Sequence, residues 1–140
     1  MSAAAPDPAA LSHQLAARVA RRDLPPDSTP APDTFTPLRT LERIVYHLTR
    51  LLPGRNRRGL ATQARMCYAF LTHETLTPPE LAAAGQVARG AGSYAHSGLV
   101  RAGLLAFAQH DGHRHYRLTR FGEDWLLAVA RNEAPPAAPQ

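Results

Sequence analysis

Lysine is absent from this 140-residue chain, and cysteine occurs once, at Cys67. A lone thiol excludes a disulfide framework and any cysteine-based zinc finger. No apolar run approaches the roughly 20 residues that a membrane helix needs, and the first residues lack the apolar core of a secretory signal, so a cytoplasmic protein is expected. Also missing are a phosphate-binding glycine loop, paired carboxylates at useful spacing and a nucleophile beside an evident base. Neither catalysis nor a bound cofactor therefore has a basis in the sequence.

Arginine is what the chain has in quantity. All 16 basic residues are Arg, against 11 Asp and Glu, for a net charge of +5. Residues 1–37 hold three Arg and four Asp, whereas residues 38–131 hold 13 Arg and six acids, a balance of +7. The positive charge thus belongs to the central segment, where it suits a polyanion such as double-stranded DNA. Guanidinium groups also favour bidentate contacts to phosphate or guanine. A GC-rich genome choosing Arg codons accounts for the all-Arg composition equally well.

The 13 prolines gather toward the ends. Between Asp23 and Pro37 five of fifteen residues are Pro, which reads as an extended linker. Ahead of it, Leu11, Leu15 and Val19 at i, i+4 and i+8 predict a short helix over 11–22 within a flexible arm spanning 1–37. That helix is a detached piece, packs on a partner, or is a frayed end. Residues 132–140 read as a disordered tail. The remaining 38–131, with 44% hydrophobic residues in the whole chain, is long enough for one domain with a core.

Leu38 to Leu52 carries the clearest helical pattern, with Leu38, Leu41, Ile44/Val45, Leu48 and Leu51/Leu52 in one stripe and Pro53-Gly54 as its stop. The stripe is either a core face or the seam of a homodimer. A solvent-exposed loop with Arg55, Arg57 and Arg58 leads to a second helix over 60–73, lined by Leu60, Ala64, Cys67 and Leu71. On that stripe Cys67 reads as a buried small hydrophobe. Thr77, Pro78 and Glu80 form a capping-box signature for a short helix over 78–84, ended by Gly85. A third helix of this cluster is expected over 91–102. Alternation around Asp111-Gly112 predicts a hairpin over 105–118, followed by a helix over 120–131 with Phe121, Trp125 and Val129 on one face.

The expected fold class is mainly α with a small β-hairpin: a winged helix-turn-helix with an extra N-terminal helix and a C-terminal helix. Three pieces of sequence carry a family resemblance: Glu80-Leu81-Ala82, Leu99 with Gly103-Leu104, and Leu118-Thr119 with Gly122. In this order, over about residues 60–127, the chain resembles the MarR and ArsR-like bacterial transcriptional regulators. The resemblance implies a homodimeric DNA-binding regulator, with a recognition helix near 91–102 and a wing near 105–118.

With Leu99 as anchor, Gly92, Ala95 and His96 fall on the buried side, and His96 reads as a core histidine. The expected DNA contacts are Arg89, Ser93, Tyr94, Ser97 and Arg101 around the recognition helix, His113 and Arg114 at the wing tip, and Arg57 and Arg58 as phosphate contacts. Gly90, Gly92 and Gly98 weaken this element, so it is expected to start late, to bend, or to firm up only on DNA. His110, His113 and His115 share a hairpin face and offer a metal reading, but polar wing residues are the stronger one. Some ArsR-like proteins sense metals, and single cysteines are redox sensors in some MarR-like ones. Two rival functions keep the fold: a weakly sequence-selective architectural or DNA-repair accessory protein, and a winged-helix protein-interaction module.

Overall fold

The computed structural model describes residues 8–20 and 36–138 of the chain. Residues 21–35, which include most of the expected linker, lie outside them. The described elements run α1 (Pro8–Ala20), α2 (Pro37–Leu51), α3 (Arg57–Ala69), α4 (Pro78–Gly85), α5 (Arg89–Arg101), β1 (Leu105–His110), β2 (His113–Leu118) and α6 (Arg120–Ala130). This is a winged helix-turn-helix with added helices at both ends. Residues 132–138 have no regular secondary structure.

Side-chain caps set most of the helix starts, each giving an orphan first-turn amide an acceptor. Thr36 accepts from Arg39 N–H, and Gly59 N–H donates to Asn56 Oδ1 at 2.7 Å. Thr77 and Glu80 close the expected capping box, and Gly122 N–H donates to Thr119 Oγ1 at 2.9 Å. The Asn56 cap corrects one expectation. Arg57 and Arg58 form the first turn of α3 rather than a loop, because the asparagine starts the helix three residues before its first apolar position.

The end of α4 is a second departure. Gly85 is the last helical residue, and Gln86 takes the left-handed conformation at φ 60°. A Cβ at Gly85 would stand 3.0 Å from Met66 Cε and Thr62 Cγ2, so the glycine serves close packing on α3 and the strained position passes to Gln86.

The core gathers Ile44 and Leu48 from α2, Leu60, Met66 and Cys67 from α3, Leu81, Leu99, Tyr116, and Trp125, Leu126 and Val129 from α6. Leu15 and Val19 of α1 are buried in the same cluster, so α1 sits on the domain's own core beside α6 rather than apart from it. The apolar stripe of α2 is a core face: Thr40, Ile44 and Leu48 are buried, with Leu41, Val45, Leu51 and Leu52 packed around them. On its outer side Leu38 and Tyr46 remain 66% and 60% exposed.

Part of the arginine surplus is structural. Arg43 donates to Val129 O at 2.8 Å and Ala130 O at 2.9 Å, at the end of α6. Arg65 donates through Nε and Nη2 to Gly85 O at 3.1 and 2.8 Å, at the end of α4. Arg18 donates to Phe70 O and His73 O just past α3. Each places a cation against helix-terminal carbonyls, where unpaired acceptors and the helix dipole favour it.

Strands β1 and β2 pair from Leu105↔Leu118 to His110↔His113. Asp111 (φ 52°) and Gly112 (φ 75°) make the turn with both φ values positive, as a two-residue hairpin of type I′ requires. Leu76 and Tyr116 exchange backbone hydrogen bonds of 2.9 and 2.8 Å, which ties the root of the wing to the segment before α4. Thr119 and Gly122 close the domain. A Cβ at Gly122 would meet Leu104 O at 2.1 Å, so the start of α6 lies directly on the turn that leaves α5.

Candidate nucleic-acid interface

The turn from α4 to α5 is three residues long, Gln86 to Ala88. α5 is one continuous helix from Arg89 to Arg101, two residues earlier than expected and without a late start. Gly92, Ala95, His96, Gly98 and Leu99 are its buried residues. The opposite side is left to Gly90, Ser93, Tyr94 and Arg101, all exposed, with Ser97 half-buried and Tyr94 at 76% exposure. The 3.6-residue period places Ser93, Ser97 and Arg101 along one line at i, i+4 and i+8, with Arg89 at its start.

Across from the first half of α5 stands the start of α3. A groove of about 900 Å³ separates them, with Arg58 and Tyr94 on facing walls. Arg57, its neighbour in sequence, is exposed on the same turn but does not line the groove. Arg55 and Arg65 do line it. Neither belongs to the set of contacts expected from sequence, although Arg58, Thr62 and Arg65 recur at i, i+4 and i+7 and so share a helix face.

At the wing, the two tip residues behave differently. His113 is exposed beside the turn. Arg114 is exposed too, but its guanidinium lies over the Phe107 ring at 4.4 Å and reaches Tyr116 Oη at 3.5 Å. Phe107 and His96 both pack on Tyr116, with ring centroids 5.4 and 4.7 Å away. This chain of rings joins α5 to the wing. His96 is buried, its Nδ1 has no hydrogen-bond partner, and desolvation, with the nearby Arg114 charge second, holds its pKa below the ordinary imidazole value.

The wing histidines share a strand face, and His110 and His115 rings meet edge to face at 5.7 Å. His110 Nε2 lies 3.3 Å from Asp111 Oδ2. Among the described residues no three His, Cys, Asp or Glu side chains are grouped to hold a metal ion. Cys67 is fully buried, and burial pushes its thiol up to about 12, far from a reactive thiolate. No helix among the described residues is long and apolar enough to cross a membrane.

Compared with known protein families, curated proteins and solved structures, the chain matches none of them. The winged-helix architecture rests on element order, strand register and packing within this chain.

Proposed function

We propose that this protein is a duplex-DNA-binding transcriptional regulator of bacterial type, cytoplasmic and nucleoid-associated, which works as a homodimer. The observation that carries the reading is the outward face of α5. Its backbone is pinned by Leu99 and by small buried residues, while Ser93, Tyr94, Ser97 and Arg101 point away from the core. Hydroxyl and guanidinium groups on such a face suit base edges and phosphates in a major groove. Arg89 at the helix start and Arg57 and Arg58 on α3 add positive charge for the backbone, and His113 with Arg114 extends it along the wing.

The homodimer follows from the same reading, since paired recognition helices address two half-sites one helical turn apart. Leu38 and Tyr46, the large exposed apolar side chains on α2, are the surface we assign to self-association.

Selection of the purified full-length protein against a random duplex pool, at two salt concentrations, tests the proposal. An enriched palindromic motif is the expected result, and it disappears in the Ser97→Ala/Arg101→Ala variant. Binding without enrichment and with a steep salt slope replaces the regulator by an architectural protein. No binding at either salt removes DNA as the partner.

A further inference from the structure

The groove between α3 and α5 holds more polar groups than the proposed DNA contacts Arg58 and Tyr94. Three guanidinium groups, those of Arg55, Arg58 and Arg65, line it together with Asn56, Gln86 and Tyr94, and none of the described residues that line it is acidic. Arg65 is committed to Gly85 O, but the other two have no carboxylate partner among the described residues. The Nε of Arg55 is buried without any hydrogen-bond partner. A buried donor left unmet is costly unless a ligand or ordered water completes it.

Arg55 lies against the first turn of α3. A Cβ at Gly59 would stand 2.7 Å from Arg55 Nε, so a larger residue there would make the arginine side chain shift. On the other wall, α5 is preceded by Ala88, which has no side-chain acceptor for the first-turn amides. Gly90, beside the lining residues Ala88 and Ala91 but not itself lining the groove, is exposed, and an added Cβ there would meet nothing within 4 Å. Two arginines without carboxylate partners, an unmet buried donor and a facing wall of small residues, Ala88, Ala91 and Ala95, together describe a receptor for a small, multiply accepting anion.

We propose that this groove binds one phosphate group, and that the group is a backbone phosphate of a duplex lying along α5. The site itself stands on the groove; only the source of the phosphate rests on the function proposed above. Arg55 and Arg58 hold the phosphate oxygens, the first-turn amides of α5 meet it from the far wall, and Gly90 leaves room for the sugar–phosphate backbone to approach.

Two measurements on the full chain separate the site from its source. The first adds inorganic phosphate to ¹⁵N-labelled protein: amides of Gly59, Gly90 and Ala91 shift saturably, and Arg55→Ala/Arg58→Ala abolishes the response. The second measures affinity for one fixed duplex as a function of salt. Arg55→Ala/Arg58→Ala lowers the slope of log K against log salt by about 0.9, the amount expected for one lost phosphate, and neither single variant exceeds that, because both residues serve the same phosphate. Gly90→Ala leaves the protein folded and weakens duplex binding severalfold. Arg58→Glu, on an exposed side chain, carries the test should Arg55→Ala fail to fold.

Saturable shifts without duplex binding by the wild type keep the site, assign it to a free phosphorylated ligand, and end the DNA reading. Normal duplex binding by every variant, with no phosphate response, overturns the site and leaves the DNA reading intact. A phosphate response with unchanged duplex affinity overturns the assignment of the source.

Discussion

α2 and α5 are 15 and 13 residues long, and both lie on the same core, yet they are held there by opposite means. α2 carries its own instructions: a Thr36 cap, Pro37 at its first position, and a stripe that buries Ile44 and Leu48. α5 has no side-chain cap and three glycines, and its buried side is mostly small: Gly92, Ala95, Gly98 and His96 around Leu99. Close approach replaces bulk there. A Cβ at Gly92 would stand 3.1 Å from Ala82 Cβ, and one at Gly98 would stand 2.7 Å from Gln63 Nε2. Gln63, fully buried, donates to Ala95 O at 3.1 Å. A helix of weak intrinsic propensity thus becomes continuous because α3 and α4 fit against it closely, which leaves its outer face to Ser93, Tyr94, Ser97 and Arg101.

The comparison can be broken from either side. The largest effect is expected in α2, where Leu48→Ala removes a fully buried side chain and costs about 2–5 kcal/mol. Urea unfolding followed by fluorescence of the buried Trp125 reads it; a loss below about 1 kcal/mol would mean that α2 is not the anchor described. Next comes Gly98→Ala, which in an isolated helix would stabilise but here drives a methyl into Gln63 and costs about 1–3 kcal/mol. A gain in stability from this variant would show that α5 has slack against α3.

Exchanging the caps has a smaller effect, of opposite sign in the two helices. Thr36→Ala loses about 1 kcal/mol, and Ala88→Ser gains some tenths up to about 1 kcal/mol by giving α5 the acceptor it lacks. Equal and negligible changes in thermal midpoint would remove capping from the account. The smallest effect is pH dependence through His96. Its folded pKa lies below the ordinary 6.5, so between those two values the unfolded chain binds more protons than the folded one. This contribution is fully present above pH 6.5 and is lost as the pH falls toward the folded value. His47, also lowered, acts in the same direction. His96→Gln flattens the decline of the urea midpoint below pH 6.5 more than His47→Gln does; an unchanged decline would place the titration elsewhere.

Much of this architecture was legible in residue order, for reasons that are local. The Thr77–Glu80 box, the Asp111-Gly112 turn and the α2 stripe each depend on contacts within a few residues, so spacing alone reveals them. The inward set of α5 was legible too, since Leu99 fixes the phase and a helix has only one period. The first turn of α3 was not, because its single sign was Asn56 and three arginines around it mimic a loop. Neither was the seat of α1, whose core residues Leu15 and Val19 are buried beside α6, which begins only at Arg120. The groove escaped for the same reason: Arg55 and Arg58 face Tyr94 only after α3 and α5 have packed.

The sequence by itself determined the helical and strand periods, the caps, the hairpin turn and the excess of arginine over residues 38–131, since each follows from neighbours in the chain or from composition. Only the tertiary structure decided what those arginines do. Arg18, Arg43 and Arg65 close the carbonyl ends of helices distant in sequence, whereas Arg57, Arg58, Arg89 and Arg101 stay exposed. Every guanidinium carries the same charge and donors, so its role is set by which acceptor the fold brings within reach.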